Sequence, residues 1–237
     1  MRRIAAVPAF QAARTLGDVV RGLRETFDEV WVVDDGSTDG TAEVALAAGA
    51  RLLRHERNRG KGAALRTALR QAAAESIDAL VTVDADGQHP PAEAARLDRS
   101  VADRDALVIG VRNWSVTDVP ERSLGANRQA ALWFTRVTGR TFTDTQCGLR
   151  RYPVRAVLAL APRGQRYAFE ADALLRAVYA GLTVVEVPVR VDYPPERHSS
   201  FLPVRDTTRI TLRVIGTVFE RALTPWRWRG PPPKGAP

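Results

Sequence analysis

Sulfur and imidazole are scarce in this chain of 237 residues, which contains one cysteine, Cys147, and three histidines. A single thiol cannot form an internal disulfide, and no Cys/His spacing typical of a zinc site is present. Neither a disulfide scaffold nor a zinc-finger class of protein fits this composition. A reducing compartment is the default for such a chain, so we predict a cytoplasmic protein.

Long apolar runs are also missing. No segment approaches the roughly 18 consecutive apolar residues that a membrane span needs. The apolar part of the N-terminus, Ile4–Val7, is too short for a signal peptide. With 45% hydrophobic and 26% charged residues, the composition is that of a globular domain. The sequence predicts a protein that is soluble, or at most peripheral at the inner face of the cell membrane.

Basic residues exceed acidic ones, and the excess is concentrated near the C-terminus. The formal net charge is +8, and between Arg205 and Pro237 seven basic residues face two acidic ones. Such charge favours phosphate-bearing partners: nucleotides, nucleic acids or anionic lipids. We divide the chain into a domain of residues 1–204 and a basic tail of residues 205–237, which contains an amphipathic helix and a Pro-rich end.

Apolar strand patterns alternate with helical patterns from Ile4 to Gly110. The predicted strands are Ile4–Val7, Glu29–Val33, Arg51–Arg54, Ala79–Val83 and Ala106–Gly110, and the predicted helices are Leu16–Phe27, Thr41–Ala48, Ala63–Ala74 and Pro91–Arg99. This alternation predicts an α/β fold with a mostly parallel, doubly wound sheet and helices on both faces. Such sheets bind ligands outside the carboxyl ends of their strands.

The segment Asp84-Ala85-Asp86-Gly87-Gln88 follows a predicted strand directly. Its two carboxylates and one amide oxygen are ligands that suit a hard cation such as Mg²⁺ or Mn²⁺. A strand-end turn would also favour aspartate, so spacing alone leaves both interpretations open. A second Asp-x-Asp, Asp103-Arg104-Asp105, precedes a strand and therefore lies at the opposite end of the sheet.

Further polar clusters follow other predicted strands. Asp34–Asp39 follows Glu29–Val33; its carboxylates could accept hydrogen bonds from a base or a ribose, or its side chains could cap the next helix. Asn58–Gly62 places Lys61 between two glycines before a helix, where a phosphate would be favoured, although a simple loop fits equally well. Arg112 follows the strand that ends at Gly110.

In this order, the clusters resemble the nucleotide-sugar domain of family 2 glycosyltransferases, which has the Rossmann-like GT-A fold. The segment T-D-T-Q-C-G-L-R at 143–150 is similar to the signature of dolichyl-phosphate glucose and mannose synthases and their bacterial relatives. Tyr167–Asp172, Val185–Val189 with Tyr193, and Ser199–Phe201 fit the same group. The resemblance covers roughly residues 4–210.

The resemblance implies an inverting, metal-dependent enzyme that moves a hexose from a UDP- or GDP-sugar to a polyprenyl phosphate. It places Mg²⁺ or Mn²⁺ at Asp84, Asp86 and Gln88. With Lys61 from the loop above, the implied donor-binding residues are Pro8, Asp35, Lys61, Asp84, Asp86, Arg112, Arg122, Gln146 and Arg150. The implied catalytic residues are Asp86, Arg112 and Asp144. An ionised lipid phosphate needs no strong base, whereas an alcohol acceptor would, and Asp144 is then the candidate.

One segment departs from the family pattern. The family usually has Pro-x-Tyr-Asn-Glu after the first strand, and this chain has Pro8-Ala9-Phe10-Gln11-Ala12, without the glutamate. Because this glutamate is absent, the sequence does not predict the nucleoside contact that is usual in the family. It also does not identify the nucleobase of the donor.

The C-terminal segment Arg209–Leu223 is amphipathic on a helical wheel. Its apolar residues form one broad face, and Arg209, Arg213, Thr217 and Glu220 are predicted to lie opposite. The segment P-W-R-W-R at 225–229 follows. The helix either packs on the domain or lies at a membrane interface, where Trp and Arg suit lipid headgroups and the site would meet a lipid acceptor.

Three hypotheses on function remain open at this stage. The first is transfer of a hexose to polyprenyl phosphate, and the second is transfer to a soluble metabolite or a polysaccharide. The third is a non-catalytic protein whose basic tail binds nucleic acid or anionic membrane. Carboxylates at the strand ends would not serve nucleic-acid binding, so no nucleic-acid partner is expected.

Overall fold

A computed structural model describes residues 2–113, 121–192 and 203–224, with the backbone alone described for 121–124, 126, 203 and 204. Its strands are β1 (Arg3–Ala9), β2 (Val30–Asp34), β3 (Arg51–Arg54), β4 (Ala79–Thr82), β5 (Leu107–Arg112), β6 (Arg150–Pro153) and β7 (Val184–Val189). Its helices are α1 (Ala13–Arg24), α2 (Thr41–Ala47), α3 (Lys61–Ala74), α4 (Pro91–Arg99), α5 (Glu121–Thr138), α6 (Val154–Ala159), α7 (Ala168–Tyr179) and α8 (Pro203–Leu223).

The strands form one seven-stranded sheet in the order β3-β2-β1-β4-β6-β5-β7. All neighbours are parallel except β6, which runs antiparallel to both β4 and β5. Every residue of β2 is buried, as expected for a parallel strand that is covered on both faces. The predicted mostly parallel GT-A-type α/β fold is confirmed.

Helices cover both faces of the sheet. On one face, α1, α2 and α4 enclose a core in which Leu16 and Leu23 of α1 are fully buried. On the other, α3 and α5–α8 enclose a second core around Leu65, Leu69 and Phe169. Burying each of these side chains stabilises the fold by roughly 1.5–3 kcal/mol. The two cores hold the sheet rigid, and with it the loops at its edge.

Pro8 does not end the first strand, contrary to the prediction. β1 continues to Ala9, and Pro8 lies opposite Val33 of β2. Alternate residues of a parallel strand bond to opposite neighbours, and the bond from Val83 N to Ala6 O shows that the even-numbered residues face β4. The paired register with β4 ends at Ala6, so the missing N–H of Pro8 interrupts no ladder.

Several elements differ from the predicted boundaries or were not predicted. α1 begins at Ala13, and β6, β7 and α5–α7 have no counterpart among the predicted elements. α8 begins at Pro203, so the predicted domain boundary at residue 204 falls within its first turn. Within the described segments, no helix combines the length and the apolarity needed to cross a membrane.

Candidate active site

One edge of the sheet gathers the polar segments. The parallel strands β1, β2, β4 and β5 all end there. Because β6 runs antiparallel to β4 and β5, residues 143–149, which lead into it, lie at that same edge. The edge therefore holds Asp34–Asp39, Asp84–Gln88, Arg112 and the 143–149 loop, the position at which ligands bind in open α/β sheets.

Lys61, at the start of α3, joins two carboxylates of this edge. Its Nζ lies 2.6 Å from Oδ1 of Asp84 and 3.2 Å from Oε1 of Glu170. Burial would raise the pKa of Asp84, but the ammonium group of Lys61 outweighs that effect and holds the pKa below its usual value. Burial likewise would lower the pKa of Lys61, but Asp84 and Glu170 raise it. Asp84 and Lys61 are therefore both charged near neutral pH.

Gly148 brings the 143–149 loop against the Asp84 side chain. A Cβ at position 148 would lie 2.8 Å from Cγ of Asp84, and closer still to Oδ2, so no larger residue fits without a shift. The Thr82 hydroxyl fixes this approach by donating to the carbonyl of Gly148 at 3.0 Å. The glycine of the C-G-L-R segment is thus a packing requirement of the Asp84 carboxylate.

Asp86 and Gln88 occupy the turn after β4 and are both partly exposed. The backbone N–H of Gln88 donates to Oδ1 of Asp86 at 3.0 Å, and its carbonyl accepts from Asp192 N at 2.8 Å. Gly87 has φ +74°, a backbone conformation that would be strained for a residue with a side chain. The turn is therefore held from both sides, by its own carboxylate and by the segment that follows β7.

The donor set at this turn fits a hard divalent cation. Among the described residues there is no group of three or more His, Cys, Asp or Glu side chains that would enclose a metal ion by itself. Two carboxylates and one amide oxygen instead leave coordination positions for phosphate oxygens and water, which is how Mg²⁺ is usually bound beside a nucleotide. Asp84, Asp86 and Gln88 would supply the protein ligands.

Arg112, the last residue of β5, is held by Asp144. Its Nε and Nη2 donate to the two carboxylate oxygens at 2.6 and 3.0 Å, and its backbone N–H donates at 3.2 Å. Asp144 also accepts from the backbone of Gln146 at 2.9 Å and of Cys147 at 3.2 Å. Burial would raise the pKa of Asp144, but its bonds to Arg112 hold the pKa below the usual value.

This arrangement changes the role expected for Asp144. The carboxylate has no exposed surface, and both of its oxygens are engaged. A group with a lowered pKa and no access to substrate is a poor general base. Asp144 is instead the residue that orients Arg112, whose side chain remains 19% exposed at the edge.

Arg150 is also placed differently from what the resemblance implies. It is fully buried, and its guanidinium donates to the carbonyls of Cys147, Thr145 and Glu170 at 2.8, 2.7 and 2.8 Å. The side chain therefore supports the loop rather than lining its surface. Gln146, by contrast, is exposed on the same loop and available to a ligand.

Asp35 pins the loop that leads into α3. Its carboxylate accepts from the backbone N–H groups of Arg59 at 2.9 Å and Gly60 at 2.6 Å, and it lies 2.6 Å from Nδ1 of His55. Asp34, one residue earlier, pairs with Arg54 at 3.1 Å. The two adjacent carboxylates at the end of β2 thus have separate structural tasks, and that of Asp35 is to position the loop that carries Lys61.

Gln11 lies at the same edge of the sheet, at the position where the family pattern has asparagine. Its side chain accepts from Thr38 N at 2.8 Å, and its backbone N–H donates to the Ser37 hydroxyl at 2.9 Å. Pro8 lies three residues before Gln11, within β1, and is partly buried. The region that would meet a nucleoside is therefore ordered by an amide, in the absence of the usual glutamate.

Two acidic residues that matter at this edge were not predicted. Glu186 of β7 accepts from the backbone and the hydroxyl of Thr143, both at 2.8 Å, and so fixes the start of the 143–149 loop. Its signal was an isolated acid within the apolar strand V-V-E-V-P-V. The second is Glu170 of α7, which pairs with Lys61 at 3.2 Å.

Asp172, on α7, anchors the terminal helix α8. Its buried carboxylate accepts from Arg176 at 2.9 Å and from the Thr217 hydroxyl at 2.6 Å, and it pairs with Arg213 at 3.2 Å. The polar residues Arg213, Thr217 and Glu220 therefore face the domain. α8 packs on α7 around these polar residues. Packing on the domain was one of the two positions predicted for this helix.

The predictions for Arg122, Tyr193, Ser199–Phe201 and the segment 225–229 lie outside what can be described. For Arg122 the backbone alone is described, within α5. The donor-binding and catalytic assignments as a whole stay predictions, now tied to a common edge of the sheet.

Comparison with known proteins identifies the family of this chain. Residues 5–155 match the model of the family described as glycosyl transferase family 2. An undecaprenyl-phosphate mannosyltransferase of Micrococcus luteus is 30% identical over 80% of this chain and 83% of its own length. A polyprenol monophosphomannose synthase of Mycolicibacterium smegmatis is 31% identical over 79% of this chain and 76% of its own length.

A solved structure shares the fold. Glucosyl-3-phosphoglycerate synthase from Mycobacterium tuberculosis, in complex with Mn²⁺, uridine diphosphate and phosphoglyceric acid, superposes with a TM-score of 0.67. It is 23% identical, and the match covers 98% of this chain and 80% of that one.

Proposed function

Because this chain belongs to glycosyl transferase family 2 and is a glycosyltransferase, we propose that it transfers a hexose from a UDP- or GDP-sugar to a polyprenyl phosphate. The names of its relatives support the lipid phosphate as acceptor. One structural observation carries the proposal. Oxygen ligands suited to a divalent ion lie at the same edge of the sheet as two cationic side chains suited to phosphate, Lys61 and Arg112.

The proposed reaction is a direct displacement at the anomeric carbon. An acceptor phosphate oxygen forms a bond to that carbon as its bond to the nucleoside diphosphate breaks, so the configuration inverts. A divalent ion held by Asp84, Asp86 and Gln88 would offset charge on the departing diphosphate. Arg112, fixed by Asp144, presents a guanidinium to a donor or acceptor phosphate.

No strong base is required in this scheme, because the acceptor phosphate is already ionised near neutral pH. This agrees with the buried, arginine-bound state of Asp144, which would not serve as a base. A lone cysteine favours a reducing compartment, so we place the reaction at the cytoplasmic side of the membrane.

The test uses the full-length protein with labelled UDP-glucose, UDP-N-acetylglucosamine and GDP-mannose, polyprenyl phosphate in detergent, and Mn²⁺ or Mg²⁺. We expect one donor to give a lipid-linked product together with free nucleoside diphosphate. Asp86→Asn should abolish this product, while the matched change Asp103→Asn, in the second Asp-x-Asp, should not. Transfer only to water-soluble acceptors would refute the lipid acceptor.

Membrane contact through α8 is part of the proposal. Docking on α7 leaves an apolar stripe exposed on the outer side of the helix, formed by Leu212, Ile215, Phe219 and Leu223. An amphipathic helix with such a stripe can bury it in the headgroup region of a bilayer. This position would bring the edge of the sheet towards an acceptor that resides in the membrane.

Flotation with liposomes tests this contact. Replacing the four stripe residues by serine should remove the protein from the floating fraction without unfolding it, since the stripe touches no core. Leu46→Ser, at an equally exposed leucine on α2, is the control and should float like the parent protein. Equal flotation of both variants would refute a role for α8.

A further inference from the structure

Lys61 joins two carboxylates that differ in accessibility. Asp84 lies at the edge of the sheet and its side chain is 30% exposed, whereas the Glu170 side chain is 7% exposed. The Lys61 side chain between them is 15% exposed. Only the Asp84 end of this bridge can be reached by a ligand that approaches the edge.

Asp84 has little freedom to leave Lys61. On one side the backbone of Gly148 packs against its carboxylate too closely for even a methyl group. On the other side the ammonium group holds Oδ1 at 2.6 Å. A divalent ion that binds Asp84 must therefore share its oxygens with Lys61 or displace the ammonium group.

Glu170 prevents Lys61 from leaving altogether. Its Oε1 is buried and, among the described residues, has no hydrogen-bond partner, and the ammonium group of Lys61 is the cation paired with it, at 3.2 Å. Leaving a buried carboxylate without its cation is strongly unfavourable. A displaced Lys61 would accordingly pivot about Glu170 towards any new anion at the edge.

We propose that Lys61 is an internal cation that competes with the metal ion for Asp84 and is drawn away by the donor diphosphate, with Glu170 as its pivot. Metal and nucleotide then bind cooperatively, because each takes one partner of the Lys61–Asp84 pair. This inference rests on the metal-dependent function proposed above. It gives Lys61 a positioning role beyond that of a phosphate contact.

Titration of Mn²⁺ into the full-length protein, followed by the electron paramagnetic resonance of the free ion, tests the proposal with and without UDP. In the parent protein, UDP should tighten Mn²⁺ binding markedly. Lys61→Met should bind Mn²⁺ without UDP about tenfold more tightly than the parent, the value of one charge-assisted hydrogen bond. The factor by which UDP increases the affinity for Mn²⁺ should be about tenfold smaller in this variant than in the parent protein.

Arg70→Met is the matched control. It removes the same charge from an exposed site on α3 and should leave both affinities close to those of the parent protein. Since Lys61→Met removes the cation paired with Glu170, the double variant Lys61→Met/Glu170→Gln is measured in parallel and should show the same loss of coupling.

Two outcomes separate this proposal from the function on which it rests. If the parent protein binds Mn²⁺ with UDP, and both Lys61 variants keep the full gain from UDP, the competition is refuted while the metal site stands. If no variant binds Mn²⁺ under any condition, the metal-dependent function itself is refuted.

Discussion

Gly148→Ala is the substitution for which the structure gives the most definite expectation. The added Cβ would lie 2.8 Å from Cγ of Asp84, roughly 0.7 Å inside the 3.5–4.0 Å optimum for two carbon atoms. The loop cannot yield easily, because Thr82 holds the Gly148 carbonyl at 3.0 Å and the strand that begins at Arg150 follows at once. The Asp84 carboxylate must therefore move by a comparable distance.

A displacement of that size at a ligand-binding carboxylate should lower kcat/KM about 100-fold. The free energy of unfolding should fall by only about 1–3 kcal/mol, as for other overpacked sites. Steady-state kinetics and urea denaturation measure the two effects. Gly125→Ala on α5, where a Cβ meets no described atom within 4 Å, is the control; it should leave kcat/KM unchanged and raise the free energy of unfolding by at most about 1 kcal/mol, as expected for this change inside a helix. Activity within twofold of the parent protein for Gly148→Ala would refute the inferred contact.

Three further predictions follow from the arginine and aspartate pairs. Arg112→Lys should lower kcat/KM by about 10- to 100-fold, because a lysine cannot keep the two-point contact with Asp144; an unchanged value would contradict its phosphate role. The pKa of Asp144 is lowered in the folded state, so its carboxylate stabilises the fold above the unfolded aspartate pKa of about 3.9, and this contribution is lost as the pH falls through the lower folded pKa. Urea midpoints of Asp144→Asn between about pH 3 and pH 7 should therefore vary less than those of the parent protein, and parallel profiles would contradict this. Asp172→Asn should cost about 2 kcal/mol of unfolding free energy by urea denaturation, since it removes a buried charged acceptor of Arg176, Arg213 and Thr217 and leaves Glu220 as the carboxylate paired with the two arginines; a loss below about 1 kcal/mol would contradict its role in docking α8.

The elements with strong apolar patterns were predictable from the sequence. Val30–Asp34 and Ala79–Thr82 are continuous apolar runs followed by acidic turns, and strands of this kind are buried on both faces of a parallel sheet. Their carboxyl ends place Asp34–Asp39 and Asp84–Gln88 at one edge by topology alone. The general location of the site therefore followed from patterning.

β6 could not be predicted in this way, because its sequence is R-R-Y-P and two of its four residues are charged. The strand is buried only because its arginines find partners distant in sequence. Arg151 pairs with Asp98 at 3.2 Å and donates to the carbonyl of Ala106 at 2.9 Å, and Arg150 donates to three carbonyls. Strand propensity depends on neighbouring residues and does not reveal that charged side chains will find partners distant in sequence.

The same limitation applies to the role of Asp144 and to the orientation of α8. A helical wheel places polar residues towards water, but it does not show that a buried carboxylate, Asp172, lies beneath Arg213 and Thr217. Similarly, the sequence presents Asp144 as one more acid in the T-D-T-Q-C-G-L-R segment, and only the geometry shows that Arg112 occupies both of its oxygens.

The position of the metal ion can be tested by diffraction from a crystal soaked with Mn²⁺ and UDP, through the anomalous signal of the manganese. We expect one strong peak at about 2.1 Å from side-chain oxygens of the Asp84–Gln88 turn, with the diphosphate as a further ligand and the Lys61 ammonium group moved off Asp84 towards it. A peak at Asp103 and Asp105 instead, or UDP bound at the edge with no metal beside Asp86, would contradict it.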